Sequence, residues 1–133
     1  QLFNNGKMVR DFTYVDDIVE GISKVLDKPA EPNADWDALN PDPATSYAPY
    51  RVYNIGNSKP VELMEYVQAI EKKVGCKAVF NMLPMQPGDV TSTCANTDKL
   101  FESVGFKPST PVAKGVAQFV DWYTEFYKTD TVI

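Results

Sequence analysis

The apolar period of the chain changes abruptly between Tyr14 and Val15, and this change constrains the fold more than any other feature of the sequence. Val9 to Tyr14 is rich in Val, Phe, Thr and Tyr, residue types that favour extended backbone. Ile18, Val19, Ile22, Val25 and Leu26 then recur at helical spacing. Asp16 and Asp17 stand at the join, where side-chain acceptors and negative charge suit a helix start. The pattern predicts a strand over Val9 to Tyr14 and an amphipathic helix over Val15 to Lys28, stopped by Pro29. Gly21 weakens such a helix by about 1 kcal/mol relative to alanine. It also permits close packing against a neighbour.

The remaining segments read in the same terms. Asn4-Asn5-Gly6 is a tight-turn signal at the end of a short strand from Leu2 to Lys7. The stretch from Ala30 to Pro49 is rich in Pro, Ala, Asp and Asn, without periodicity, and reads as a long surface loop pinned by Trp36 and Tyr47. Strands are expected at Tyr50 to Ile55, Lys77 to Leu83 and Thr91 to Ala95. A helix with Pro60 at its first position carries Leu63, Met64, Val67, Ile70 and Val74 on one face and stops at Gly75. Asn96 or Thr97 caps a short helix ending at Gly105. Thr110 caps the last helix, with Pro111 following and Val112, Val116, Phe119, Val120 and Tyr123 on one face. Thr129 to Ile133 read as a frayed tail. The sum is an α+β (small α/β) fold with few strands and about four helices.

Size and charge narrow the function. The chain has 133 residues, 44% of them hydrophobic, which suits one domain over 1–133 with a sizeable core. The net charge of -5 gives no basic footprint for nucleic acid, and no long apolar span suggests a membrane segment. The absence of histidine removes His-based acid–base and nucleophilic systems and most zinc sites. Asp16-Asp17 and Asp35/Asp37 read as capping or solvated charge rather than as a metal site. No secretory pattern opens the chain, so Cys76 and Cys94 are expected as reduced, half-buried thiols of a cytoplasmic protein. The start at Gln1 reads as a cut through a longer protein.

Four stretches in order carry a resemblance. They are Arg10-Asp11-Phe12-Thr13-Tyr14-Val15-Asp16-Asp17, Tyr53-Asn54-Ile55-Gly56-Asn57, Gln86-Pro87-Gly88-Asp89-Val90 and Gly115 to Tyr123. Together they resemble the substrate-binding, C-terminal portion of nucleotide-sugar epimerases and dehydratases, the extended short-chain dehydrogenases, most closely the UDP-glucuronate 4-epimerase branch. The resemblance implies a UDP-sugar as ligand. It implies Arg10 on the diphosphate, Asp89 on the uridine ribose, Phe12 lining the pocket and Asn57 in the turn beside uracil. Gln86 stands where relatives often carry arginine and brings no charge to a phosphate.

The family's reaction uses NAD and a Tyr-x-x-x-Lys pair. No tyrosine here has lysine four residues on, and no GxGxxG follows a strand. The resemblance therefore implies that NAD is held by a dinucleotide-binding half outside these residues, and it supplies no catalytic residue within them. A second reading is a free-standing, non-enzymatic relative that self-associates as a homodimer or binds a partner through its former interface.

Overall fold

The computed structural model describes residues 1–128. The expected tail at Thr129 to Ile133 lies outside the described residues. Six elements build the fold: β1 (Val9–Arg10), α1 (Val15–Leu26), β2 (Val61–Glu62), α2 (Leu63–Val74), α3 (Asp98–Val104) and α4 (Val112–Tyr127). A short 3-10 turn, Phe3–Gly6, precedes them. The class is α+β, with helices dominant. No helix among the described residues is long and apolar enough to cross a membrane.

The helix starting at Val15 is where the period change puts it, but the strands are much shorter than their composition suggests. β1 and β2 pair antiparallel, Val9 opposite Glu62 and Arg10 opposite Val61. Of the four other expected strands, Leu2 to Lys7 is taken up by the 3-10 turn at Phe3–Gly6, and the other three contribute single bridges: Arg51 to Thr45, Met82 to Leu2 and Ser92 to Val9. β-Branched and aromatic residues favour extended backbone, but a ladder needs a partner of matching length. Val79, in the middle of one expected strand, is 99% exposed.

β2 also corrects the expected start of α2. Val61 and Glu62 pair with β1 and Leu63 N–H donates to Met8 O, so the helix begins three residues after Pro60. Gly75 ends it in the left-handed conformation (φ 83°), as expected.

α4 lies along α2, and the Lys73 ammonium pairs with the Asp121 carboxylate between them. Val116 and Val120 of α4 are buried with Met8 and Leu100. These four and Pro108 are the buried apolar side chains among the described residues. The sizeable core expected from composition is thus a thin one. Val19, Ile22 and Leu26 on α1 and Phe119, Trp122 and Phe126 on α4 remain exposed, Leu26 by 74%. Gly21 does sit in a close approach: a Cβ there would lie 3.2 Å from Phe106 and 3.4 Å from Ile55. Cys76 and Cys94 are exposed rather than half-buried.

The long loop is organised by its own polar contacts. Trp36 and Tyr47 meet edge-on at 5.5 Å, and Trp36 Nε1–H donates to Asp42 O. The Ala44 N–H and the Lys99 ammonium hold the Asp42 carboxyl below its usual range. At the end of α2, the Lys77 ammonium and the Ala78 N–H do the same for Glu71.

Entry into α4 is fixed from α1. The Asp17 carboxylate accepts from Ser109 N–H at 3.1 Å, Thr110 N–H at 2.9 Å and Thr110 Oγ1–H at 2.9 Å. Thr110 therefore spends its hydroxyl on Asp17, and Pro111, not Thr110, is the residue flanking the helix. Asp17→Ala is expected to destabilise the protein by about 2 kcal/mol, because it strands donors that a charged acceptor now satisfies. Asp16→Ala, at an exposed position of the same turn, is expected to change stability by no more than about 0.5 kcal/mol. Urea midpoints of the two variants check the contrast.

Candidate functional site

Three successive side chains at the end of β1 point to three different places. Arg10 reaches the loop between Pro84 and Val90, where its Nη2–H donates to Asp89 Oδ1 at 3.0 Å. Its Nη1–H donates to Val9 O at 2.9 Å. The side chains of the pair are 23% and 32% exposed. This partner, Asp89, lies 79 residues away in the sequence. Gln86 sits on the same exposed turn, its carbonyl accepting from Asp89 N–H at 3.2 Å. The turn passes through Gly88 at φ +82°, a conformation that costs glycine little.

Asp11 faces inward. Its Oδ2 accepts from Ser58 N–H at 3.0 Å and Ala95 N–H at 2.9 Å, and its Oδ1 from Lys59 N–H at 3.3 Å. It binds the turn after Ile55 to the segment before α3. That turn is tight. Ser58 adopts φ 55° and bonds through its hydroxyl to Ala95 O and Thr97 Oγ1. A Cβ on Gly56 would fall 2.4 Å from the Ala95 Cβ.

Phe12 stacks on Tyr66 of α2, ring centroids 4.2 Å apart. The pair lines an apolar cavity of about 210 Å³ closed by Thr13, Tyr14, Val116 and Phe119. Asn57 is 3% exposed. Its Nδ2–H donates to Thr110 O at 3.3 Å, while its Oδ1 has no hydrogen-bond partner among the described residues.

The structure thus brings Arg10, Asp89 and the Gln86 turn together. It places Phe12 against Tyr66 and Asn57 in a buried joint below the turn. A guanidinium fixed at one nitrogen and partly open to solvent can grip phosphate or carboxylate oxygens. Sequence reasoning missed Asp11, Asp17 and Tyr66. Tyr66 carried a signal, being three residues after Leu63 and four before Ile70, on the apolar face of α2.

Nicotinamide-cofactor binding does not fit these residues. A pyrophosphate cradle needs a glycine turn opening into a helix. The residues flanking the four helix starts are Tyr14, Glu62, Thr97 and Pro111.

A family model described as GDP-mannose 4,6 dehydratase matches residues 1–119. Protein CapI of Staphylococcus aureus is 58% identical over 96% of the chain, and a probable UDP-glucuronate 4-epimerase of Rhizobium meliloti is 47% identical over 96%. The chain spans 38% of the length of each. Among solved structures, UDP-glucuronic acid 4-epimerase from Bacillus cereus, in complex with UDP-glucuronic acid and NAD, superposes with a TM-score of 0.72 at 23% identity. That match covers 95% of this chain and 35% of the other. With the family model matching most of its length and close relatives along nearly all of it, the chain belongs to the GDP-mannose 4,6 dehydratase family, the nucleotide-sugar epimerases and dehydratases of the extended short-chain dehydrogenase group.

Proposed function

We propose that the chain is the nucleotide-sugar-binding portion of a longer, cytoplasmic, NAD-dependent epimerase whose substrate is UDP-glucuronate. The observation that carries this reading is the Arg10–Asp89 pair. Two residues 79 apart in sequence meet at one partly exposed point, the cation fixed from behind by Val9 O. A diphosphate fits the cation, and ribose hydroxyls fit the carboxylate as donors. Gln86, on the same turn, contributes a neutral amide. Phe12 and Asn57 act as wall and joint, holding β1 and the Gly56 turn in place. Hydride transfer and proton abstraction belong to residues outside this chain, since it has no Tyr-x-x-x-Lys pair.

Titration calorimetry with UDP tests the reading. Arg10→Ala is expected to weaken UDP binding by tenfold or more, the loss of about 1.5–3 kcal/mol of charge-assisted bonding. Equal affinity of the two proteins overturns the assignment. The exposed apolar rows on α1 and α4 favour a second reading, a non-enzymatic domain that covers them by self-association. Concentration-dependent dimerisation in sedimentation, with no UDP binding, selects it.

A further inference from the structure

We propose that Asp89 is a displaceable latch on Arg10: its carboxylate occupies the outward guanidinium nitrogen, Nη2, until a diphosphate oxyanion takes its place. The proposal rests on the reading of Arg10 as the diphosphate grip.

The two partners are held very unequally. Arg10 belongs to β1, is paired with Val61, and has Nη1 tied to Val9 O at 2.9 Å. Asp89 belongs to an exposed loop anchored at its ends. Leu83 N–H donates to Leu2 O at 2.9 Å on one side, and Val9 N–H donates to Thr91 O at 2.9 Å on the other. Inside the loop, Asp89 bonds to its own neighbours: its N–H donates to Gln86 O and its Oδ1 accepts from Val90 N–H at 2.7 Å. The ion pair ties the loop to β1 two residues before its Thr91 anchor. A Cβ at Gly88 would meet nothing within 4 Å, so space for the turn to move is open on that side. When the pair breaks, Arg10 stays and Asp89 leaves.

The exchange is favourable on charge grounds. The pair runs through one carboxylate oxygen and one guanidinium nitrogen, both groups partly exposed. Such pairs change an equilibrium constant by no more than about fivefold. A diphosphate brings several negatively charged oxygens and grips the fork through two bonds at once. The carboxylate and the phosphate repel each other, and the latch has them take Nη2 in turn. Released, Asp89 is available to the ribose hydroxyls, which orders the two events: diphosphate first, ribose second.

The probe is inorganic pyrophosphate, titrated calorimetrically into wild type and Asp89→Asn. The latch predicts that Asp89→Asn binds pyrophosphate about three- to fivefold more tightly, since the competitor has lost its charge. It also predicts a shared signature in hydrogen exchange of the Gln86, Gly88, Asp89 and Val90 amides. Pyrophosphate accelerates their exchange in wild type, whereas in Asp89→Asn they exchange fast without ligand. If wild type binds pyrophosphate and Asp89→Asn binds it equally or more weakly, the latch is wrong and the Arg10 reading survives. If neither protein binds pyrophosphate, both fall together.

Discussion

Gly56→Ala is expected to destabilise this protein by about 3 kcal/mol or more, and chemical denaturation of the variant measures it. A methyl group on Gly56 would lie 2.4 Å from the Ala95 Cβ, well inside van der Waals contact, and 3.1 Å from Asp11 Oδ2. Neither neighbour is the far end of a flexible side chain. Ala95 is held by its N–H bond to Asp11 and by Ser58 Oγ on its carbonyl. Relief requires moving the turn away from the segment before α3, and that motion lengthens the bonds Asp11 makes. Overpacking alone costs about 1–3 kcal/mol, and the lost bonds add to it. A variant as stable as the parent would mean that the turn and the Ala95 segment are not in contact.

Asp11→Ala should be nearly as damaging, by about 3 kcal/mol, for a different reason. The Ser58, Lys59 and Ala95 N–H groups converge on one carboxylate. Hydrogen bonds to a charged acceptor are worth more than neutral ones, and stranded donors in a part-buried joint keep the full desolvation penalty. Asp11→Asn is the informative companion. It preserves size and one acceptor but turns the other position into a donor that faces N–H groups, so it should recover only part of the loss. The test is the ordering of the three urea midpoints, wild type above Asp11→Asn above Asp11→Ala.

The helices were legible in the sequence because their pattern is local. The start of α1 at Val15 and the glycine stops at Gly75 and Gly105 depend on residues within one or two turns. The strands were not, because Tyr50 to Ile55 and Lys77 to Leu83 advertise extended backbone without saying whether a partner lies alongside. Composition misjudged the core for a related reason. A count of apolar residues does not distinguish Val116, which is buried, from Val19 and Ile22, which are not. At the site, Arg10 and Asp89 were picked out by resemblance to a family. Nothing in their spacing announced that they meet. Asp17 reads as a cap of its own helix, whereas Asp11 and Asp17 both hold distant backbone, Asp11 at Ser58, Lys59 and Ala95 and Asp17 at Ser109 and Thr110.

That distance has a consequence for how the chain acquires its shape. The Asp11–Ala95 and Asp17–Thr110 bonds span 84 and 93 residues. Contacts of such long range slow folding, because the loop must close before the bond rewards it. At about 5–20 residues per second, a ribosome needs roughly 5–20 s to travel from Asp17 to the residue it holds. Throughout that interval α1, a helix of 12 residues, lacks the contact that Asp17 makes with the residues entering α4. The bonds that fix the entry into α4 from α1 therefore form only once Thr110 has been made.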